Sequence, residues 1–145
     1  MCIARLLAVP LASVFLGAAC SEPPERSLTA APTPQRAGTI VIEGETANDA
    51  GTYSVGGSET LEMSARDFAF SPTLVLGPPD LAIEIDLVAE GEGTHSFTLP
   101  EEGIDQDVAG GETVRISATF PDTGTFVFFC KYHRERGMVG GLTAA

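Results

Sequence analysis

The sequence predicts an all-β protein of the β-sandwich or barrel type. Three observations carry that prediction. Apolar and polar residues alternate with period two over several short runs, glycine- and proline-rich turn signals separate the runs, and no helical period of useful length appears. Short strands at such spacing bury one face of each strand against a facing sheet.

The chain opens on a segment that does not belong to that fold. Residues 1–19 read as an export signal, with a positive charge at Arg5, an apolar run from Leu6 and then small residues. The run is too short to span a bilayer. It ends in Leu16-Gly17-Ala18-Ala19-Cys20, which resembles a bacterial lipoprotein cleavage site, where the cysteine becomes the lipidated N-terminus. One departure is the glycine at 17, where such sites usually carry an aliphatic residue. Residues 20–38 then form a proline-rich tether: residues 21–38 hold four of the ten prolines and almost nothing that could enter a core. Extended like polyproline, it would reach on the order of 50 Å.

The domain is expected over residues 39–145, with 59–145 as its clearest part. Residues 39–44 read as a short strand, whereas 45–58 are acidic and glycine-rich and give no clear pattern. Leu61, Met63 and Ala65 then alternate with polar neighbours, and Ile83, Ile85 and Leu87 alternate with Glu84 and Asp86. His95 opens the run 95–99. Val114, Ile116, Ala118 and Phe120 alternate with Thr113, Arg115, Ser117 and Thr119, and the apolar run 126–129 completes the set. Turn signals fall at 71–72, 77–79, 90–93, 109–111 and 121–124. Seven to eight half-buried antiparallel strands are expected.

Charge narrows the choice of partners. There are 20 acidic residues against 8 basic ones, which disfavours nucleic acid because no basic stripe exists to neutralise phosphates. Nor does such acidity suit a protein lying flat on an anionic membrane. Of three cysteines, Cys2 leaves with the signal and Cys20 would be acylated, so Cys130 stands alone in a compartment that oxidises thiols. An unpaired thiol kept there is a buried inert group, a reactive one or a metal ligand.

The surroundings of Cys130 favour the last of these. The chain has two histidines, His95 and His133, and with Cys130 and Met138 they make His…Cys-x2-His-x4-Met. Two imidazoles, a thiolate and a long, weak thioether are the ligand set of a trigonal blue-copper site. Cys130 ends a strand, the chain folds back, and three donors from one short loop meet a fourth from another strand. Gly137 permits a sharp turn before Met138.

This region resembles the cupredoxins, in particular the plastocyanin, pseudoazurin and amicyanin group. The resemblance covers residues 59–145 and lies in Phe68-Ala69-Phe70-Ser71-Pro72, in His95 followed by Ser96, in the Gly-Thr-Phe-x-Phe-x-Cys approach of 124–130 and in Gly-Met-x-Gly at 137–140. It implies a Greek-key β-sandwich holding one copper ion, with His95, Cys130 and His133 as equatorial ligands and Met138 axial. It further implies that Ser96 donates a backbone N–H to the sulfur, and that the His133 edge is the electron port. Gly137, Val139 and Pro72, with Leu99 or Pro100, would form its apolar rim. Plastocyanins usually place proline before the second histidine. Tyr132 stands there in this chain, so a second N–H donor to the sulfur is expected from it.

The implied function is one-electron transfer between redox proteins in an extracytoplasmic compartment, by a monomer anchored through Cys20. Three of the domain's five basic residues, Lys131, Arg134 and Arg136, lie in the ligand loop and are expected to form a positive docking rim. The alternative is copper capture and delivery, although carriers for that task generally expose more methionines or histidines. No enzymatic activity is expected. A copper oxidase or nitrite reductase needs further histidines, a binuclear centre needs a second cysteine in the loop, and structural zinc seldom takes methionine. A Cys130–His133 nucleophile pair lacks an orienting third group.

Overall fold

In a computed structural model, residues 38–57 and 60–145 are described. The expected signal, the Cys20 lipidation site and the tether up to residue 37 lie outside the described residues.

The described chain is all β apart from two 3-10 turns, Pro100–Glu102 and Arg134–Arg136. β1 (Gly38–Ile42) and β2 (Glu45–Asp49) form an antiparallel hairpin of their own. β4 (Thr60–Arg66), β5 (Ala69–Ser71), β7 (Ala82–Ala89) and β10 (Thr113–Thr119) make a four-stranded sheet in the order β10-β7-β4-β5. The other sheet has six strands: β3 (Thr52–Ser54), β6 (Leu74–Gly77), β8 (His95–Leu99), β9 (Ile104–Val108), β11 (Thr125–Phe129) and β12 (Val139–Ala144), ordered β3-β6-β12-β11-β8-β9. The chain passes repeatedly from one sheet to the other, as a Greek-key sandwich requires. No helix among the described residues is long and apolar enough to cross a membrane.

Twelve strands replace the seven or eight expected. The additional ones are short and carry little alternation: β2 reads Glu-Thr-Ala-Asn-Asp and β9 buries fully only Val108 of its five residues. Strand direction also differs from the expectation. β4 runs parallel to β7, and β6 runs parallel to both β3 and β12. Alternation specifies which face of a strand is buried, but it is blind to the direction of the neighbour.

The core forms where the alternating faces meet. Leu61, Met63 and Ala65 of β4, Ile83, Ile85 and Leu87 of β7, and Ile116 and Ala118 of β10 are buried on one side. Phe97 of β8 and Phe128 of β11 face them and stack at 4.6 Å, with Phe70 of β5 set edge-on to both. All three rings are fully buried, and each contributes about 1.5–3 kcal/mol of transfer free energy. Gly140 of β12 is needed for this packing, because a Cβ there would run into the Phe128 ring and the Thr73 carbonyl.

That ring stack positions the candidate donors. Side chains two residues apart on a strand share a face, so His95 sits on the Phe97 side of β8 and Cys130 on the Phe128 side of the β11 end. Both are buried in the same interior.

Candidate metal centre

His95, Cys130 and His133 converge at one end of the sandwich. One donor atom from each lies within 4.8 Å of the others, a group able to hold a metal ion. His95 is the first residue of β8 and 1% exposed, while Cys130 is wholly buried beyond the end of β11. The Cys130 sulfur lies 3.5 Å from His133 Nδ1, and the two imidazole rings are 5.3 Å apart.

The loop returning to β12 brings in the fourth residue. The His133 N–H donates to the Cys130 carbonyl at 3.0 Å, and the Arg136 N–H donates to the His133 carbonyl at 2.9 Å, closing the 3-10 turn. Gly137 ends it in the left-handed region at φ +83°, where a side chain would be strained. The chain is thereby reversed. The Met138 N–H donates to the His133 carbonyl at 3.3 Å and its carbonyl accepts from the Cys130 N–H at 3.0 Å, leaving Met138 fully buried beside the group.

Burial also identifies what the site lacks. Neither ring nitrogen of His95 has a hydrogen-bond partner, although both are buried. Its Nε2 is 3.8 Å from an exposed Asp67 carboxylate, beyond hydrogen-bonding distance. A buried polar group without a partner costs free energy comparable with a lost hydrogen bond, so it calls for a ligand or a role. Burial lowers the pKa of this imidazole, Asp67 opposes the shift and His133 adds to it, which keeps the ring neutral and its lone pair available. A neutral imidazole, a buried thiol, a second imidazole and a thioether fit a copper ion.

Ser96 supports the thiol from β8. Its backbone N–H donates to the Cys130 sulfur at 3.4 Å, and its hydroxyl accepts the Lys131 N–H at 2.8 Å. Among the described residues no second backbone donor to the sulfur is found. The Tyr132 side chain faces outward, 51% exposed, and its hydroxyl donates to Asp107 at 3.1 Å.

The surface around His133 also differs from the expected rim. Pro72, Leu99 and Val139 are buried, Pro100 is exposed and Gly137 is half-buried. The half-buried His133 ring is instead flanked by Phe68 at 5.0 Å and Tyr132 at 6.5 Å. Nor are the three loop cations a free positive rim. Lys131 pairs with Asp105 and Asp107 of β9, which raises its pKa, and Arg134 forms a two-pronged bridge to Glu45 of β2 while lying over the Phe129 ring. Arg136 rests on the Phe68 ring and has no ion pair among the described residues.

Asn48, Glu45, Phe68, Asp105 and Asp107 were not among the expected site residues. Phe68 lies in the stretch that carried the resemblance. The others sit in polar stretches with no motif, and no sequence signal places them against the loop.

Comparison with known proteins agrees with this geometry. The Cupredoxin-like domain matches residues 37–144, three-quarters of the chain. The chain belongs to the cupredoxin-like family. Among solved structures, the metal-binding domain of the Cu(I)-exporting P-type ATPase CopA from Streptococcus pneumoniae D39 is similar at a TM-score of 0.55 and 17% identity, covering 65% of this chain and 95% of that one. Auracyanin A, a blue copper protein from Chloroflexus aurantiacus, is similar at a TM-score of 0.52 and 18% identity, covering 61% of this chain and all of that one. These likenesses are of fold. Among curated proteins no sequence match is found. This cupredoxin-like chain thus carries the family's fold together with a donor group suited to copper.

Proposed function

We propose that this cupredoxin-like protein carries single electrons through one copper ion held by His95, Cys130, His133 and Met138. Copper, when bound, supplies a reversible one-electron change between Cu(I) and Cu(II). The protein's part is to hold the donors still. One observation carries the reading: His95, Cys130 and Met138 are fully buried, and among the four donors His133 alone reaches the surface. Buried donors on a packed loop resist rearrangement between oxidation states, and a single ring edge provides a short route for an electron while excluding bulky ligands.

A second reading is copper capture and delivery, favoured by the shared fold of the ATPase metal-binding domain. Delivery requires donors that an incoming partner can displace one at a time. Three buried donors of four suit retention better.

Reconstitution tests both readings. Cu(II) added to purified metal-free protein should bind in a ratio of one and give an intense thiolate-to-copper absorption, which Cys130→Ser abolishes. A colourless complex, or colour that survives Cys130→Ser, overturns the copper site. Fast reversible redox cycling with slow copper loss to a chelator supports the electron carrier, and the reverse supports the ion carrier.

In the same proposal the partners are redox proteins docking over His133, Phe68 and Tyr132. The protein acts as an extracytoplasmic monomer tethered by an acylated Cys20, and it has no catalytic activity of its own. Stable anchoring would follow from two or more acyl chains, and Cys20→Ser should release the protein from membranes.

A further inference from the structure

We propose that the β1–β2 hairpin clamps the ligand loop from outside, and that Asn48 is a positioning residue for the metal centre. The inference rests on the copper reading for its purpose, but its geometry stands alone. The Asn48 amide donates from one nitrogen to the Arg136 carbonyl at 2.7 Å and to the Phe68 carbonyl at 2.8 Å. Its backbone N–H donates to the Gly137 carbonyl at 2.9 Å. Asn48 therefore ties together the turn before Met138 and the segment carrying Phe68, whose ring packs on His133.

Three further features belong to the same device. Glu45, three residues earlier on β2, holds Arg134 through two hydrogen bonds of 2.5 and 2.9 Å. Ile42 and Ala47 bury against Val139, the residue after Met138, so the hairpin is seated on the outer face of the six-stranded sheet. Gly137 leaves room for the clamp: a Cβ there would stand 3.0 Å from the Asn48 amide nitrogen. The turn that Arg136 and Gly137 belong to is a single short 3-10 turn, closed within itself by the Arg136 N–H to the His133 carbonyl and the Gly137 N–H to the Arg134 carbonyl. Fastened at Asn48, it fixes where Met138 begins.

The donor role of Asn48 can be separated from its size. Asn48→Asp has the same shape but cannot donate two hydrogen bonds, and Asn48→Ala removes the group altogether. In the full-length protein freed of metal, both variants should raise the rate of Cys130 alkylation by iodoacetamide about tenfold, the scale set by losing one or two hydrogen bonds. Peptide-resolved mass spectrometry distinguishes Cys130 from Cys2 and Cys20. With Cu(II) bound, both should shift the thiolate-to-copper absorption and speed copper loss to a chelator. Parental rates and spectra in both folded variants overturn the clamp, as does a change in Asn48→Ala that Asn48→Asp fully rescues. If the Asn48 variants do not fold, Glu45→Gln carries the test: a Cys130 alkylation rate equal to the parental one overturns the proposal. Accelerated alkylation in a protein that binds no copper would uphold the clamp and reject the copper reading. Copper binding with unchanged alkylation and spectra would do the opposite.

Discussion

The backbone N–H of Ser96 donates to the sulfur of Cys130 at 3.4 Å, while the hydroxyl of the same serine accepts the N–H of Lys131 at 2.8 Å. One residue of β8 thus fixes the thiol and the peptide that follows it. Ser96→Ala keeps the first bond and removes the second. We expect a loss of about 1 kcal/mol in urea unfolding of the metal-free protein, with the copper absorption band left in place. A displaced band would assign the hydroxyl a direct role at the sulfur.

Because Ser96 is the sulfur's backbone donor, Tyr132→Pro should leave the copper potential close to the parental value. The proline removes an N–H for which no bond to the sulfur is found among the described residues. Voltammetry of the copper-loaded variant checks this, and a marked fall would mean that Tyr132 does donate once copper is bound.

The two unpartnered nitrogens of His95 set a trade between metal binding and stability. His95→Leu replaces an unsatisfied buried imidazole by an apolar group, so the metal-free variant should be as stable as the parent or more so, by up to about 2 kcal/mol. Its copper affinity should collapse. Denaturation in the presence of a chelator, followed by copper titration, measures both quantities. A large loss of metal-free stability would show that the imidazole contributes through packing.

The Glu45–Arg134 bridge predicts the acid behaviour of the clamp. Hydrogen bonding to Arg134 holds the Glu45 carboxyl below its ordinary 4.5, against a smaller opposing effect of burial. Its stabilisation is therefore complete above about pH 4.5 and is lost as pH falls through the lower folded value. Glu45→Gln should flatten that part of the stability–pH curve of the metal-free protein. Parallel curves for parent and variant would show that the bridge contributes nothing measurable, as many exposed pairs do.

Arg136 is the loop cation without an ion pair among the described residues. Reversing it to glutamate should slow reduction of an anionic oxidant such as ferricyanide several-fold at low salt, with the two proteins converging as salt screens the charge. Arg134→Glu should act mainly through stability, because it also breaks the bridge to Glu45. Equal rates for Arg136→Glu and parent at low salt would show that Arg136 does not steer anionic partners.

The alternation at Leu61, Met63 and Ala65 and at Ile83, Ile85 and Leu87 made the sandwich legible, because period two reports burial directly. The grouping of His95, Cys130 and His133 was legible for a different reason: a chain with two histidines offers few ways to build a ligand set. Strand directions were not legible, since β4 alternates in the same way whether β7 runs with it or against it. Nor was the hairpin. Glu-Thr-Ala-Asn-Asp buries Ala47 alone, and the value of Asn48 lies in carbonyls 20 and 88 residues away. The pairing of Lys131 and Arg134 was not legible either, because counting charges in a loop says nothing about acids on β2 and β9 that fold against it.

The shared facing of Phe128 with Cys130, and of Phe97 with His95, limits how such a chain can drift in evolution. One residue inserted between Phe128 and Cys130 would turn the thiol to the opposite face and leave the ring stack intact, giving a folded protein without a site. Two inserted residues would restore the facing but carry the sulfur about 7 Å along the strand. Length variation among descendants should therefore be purged from β8 and β11.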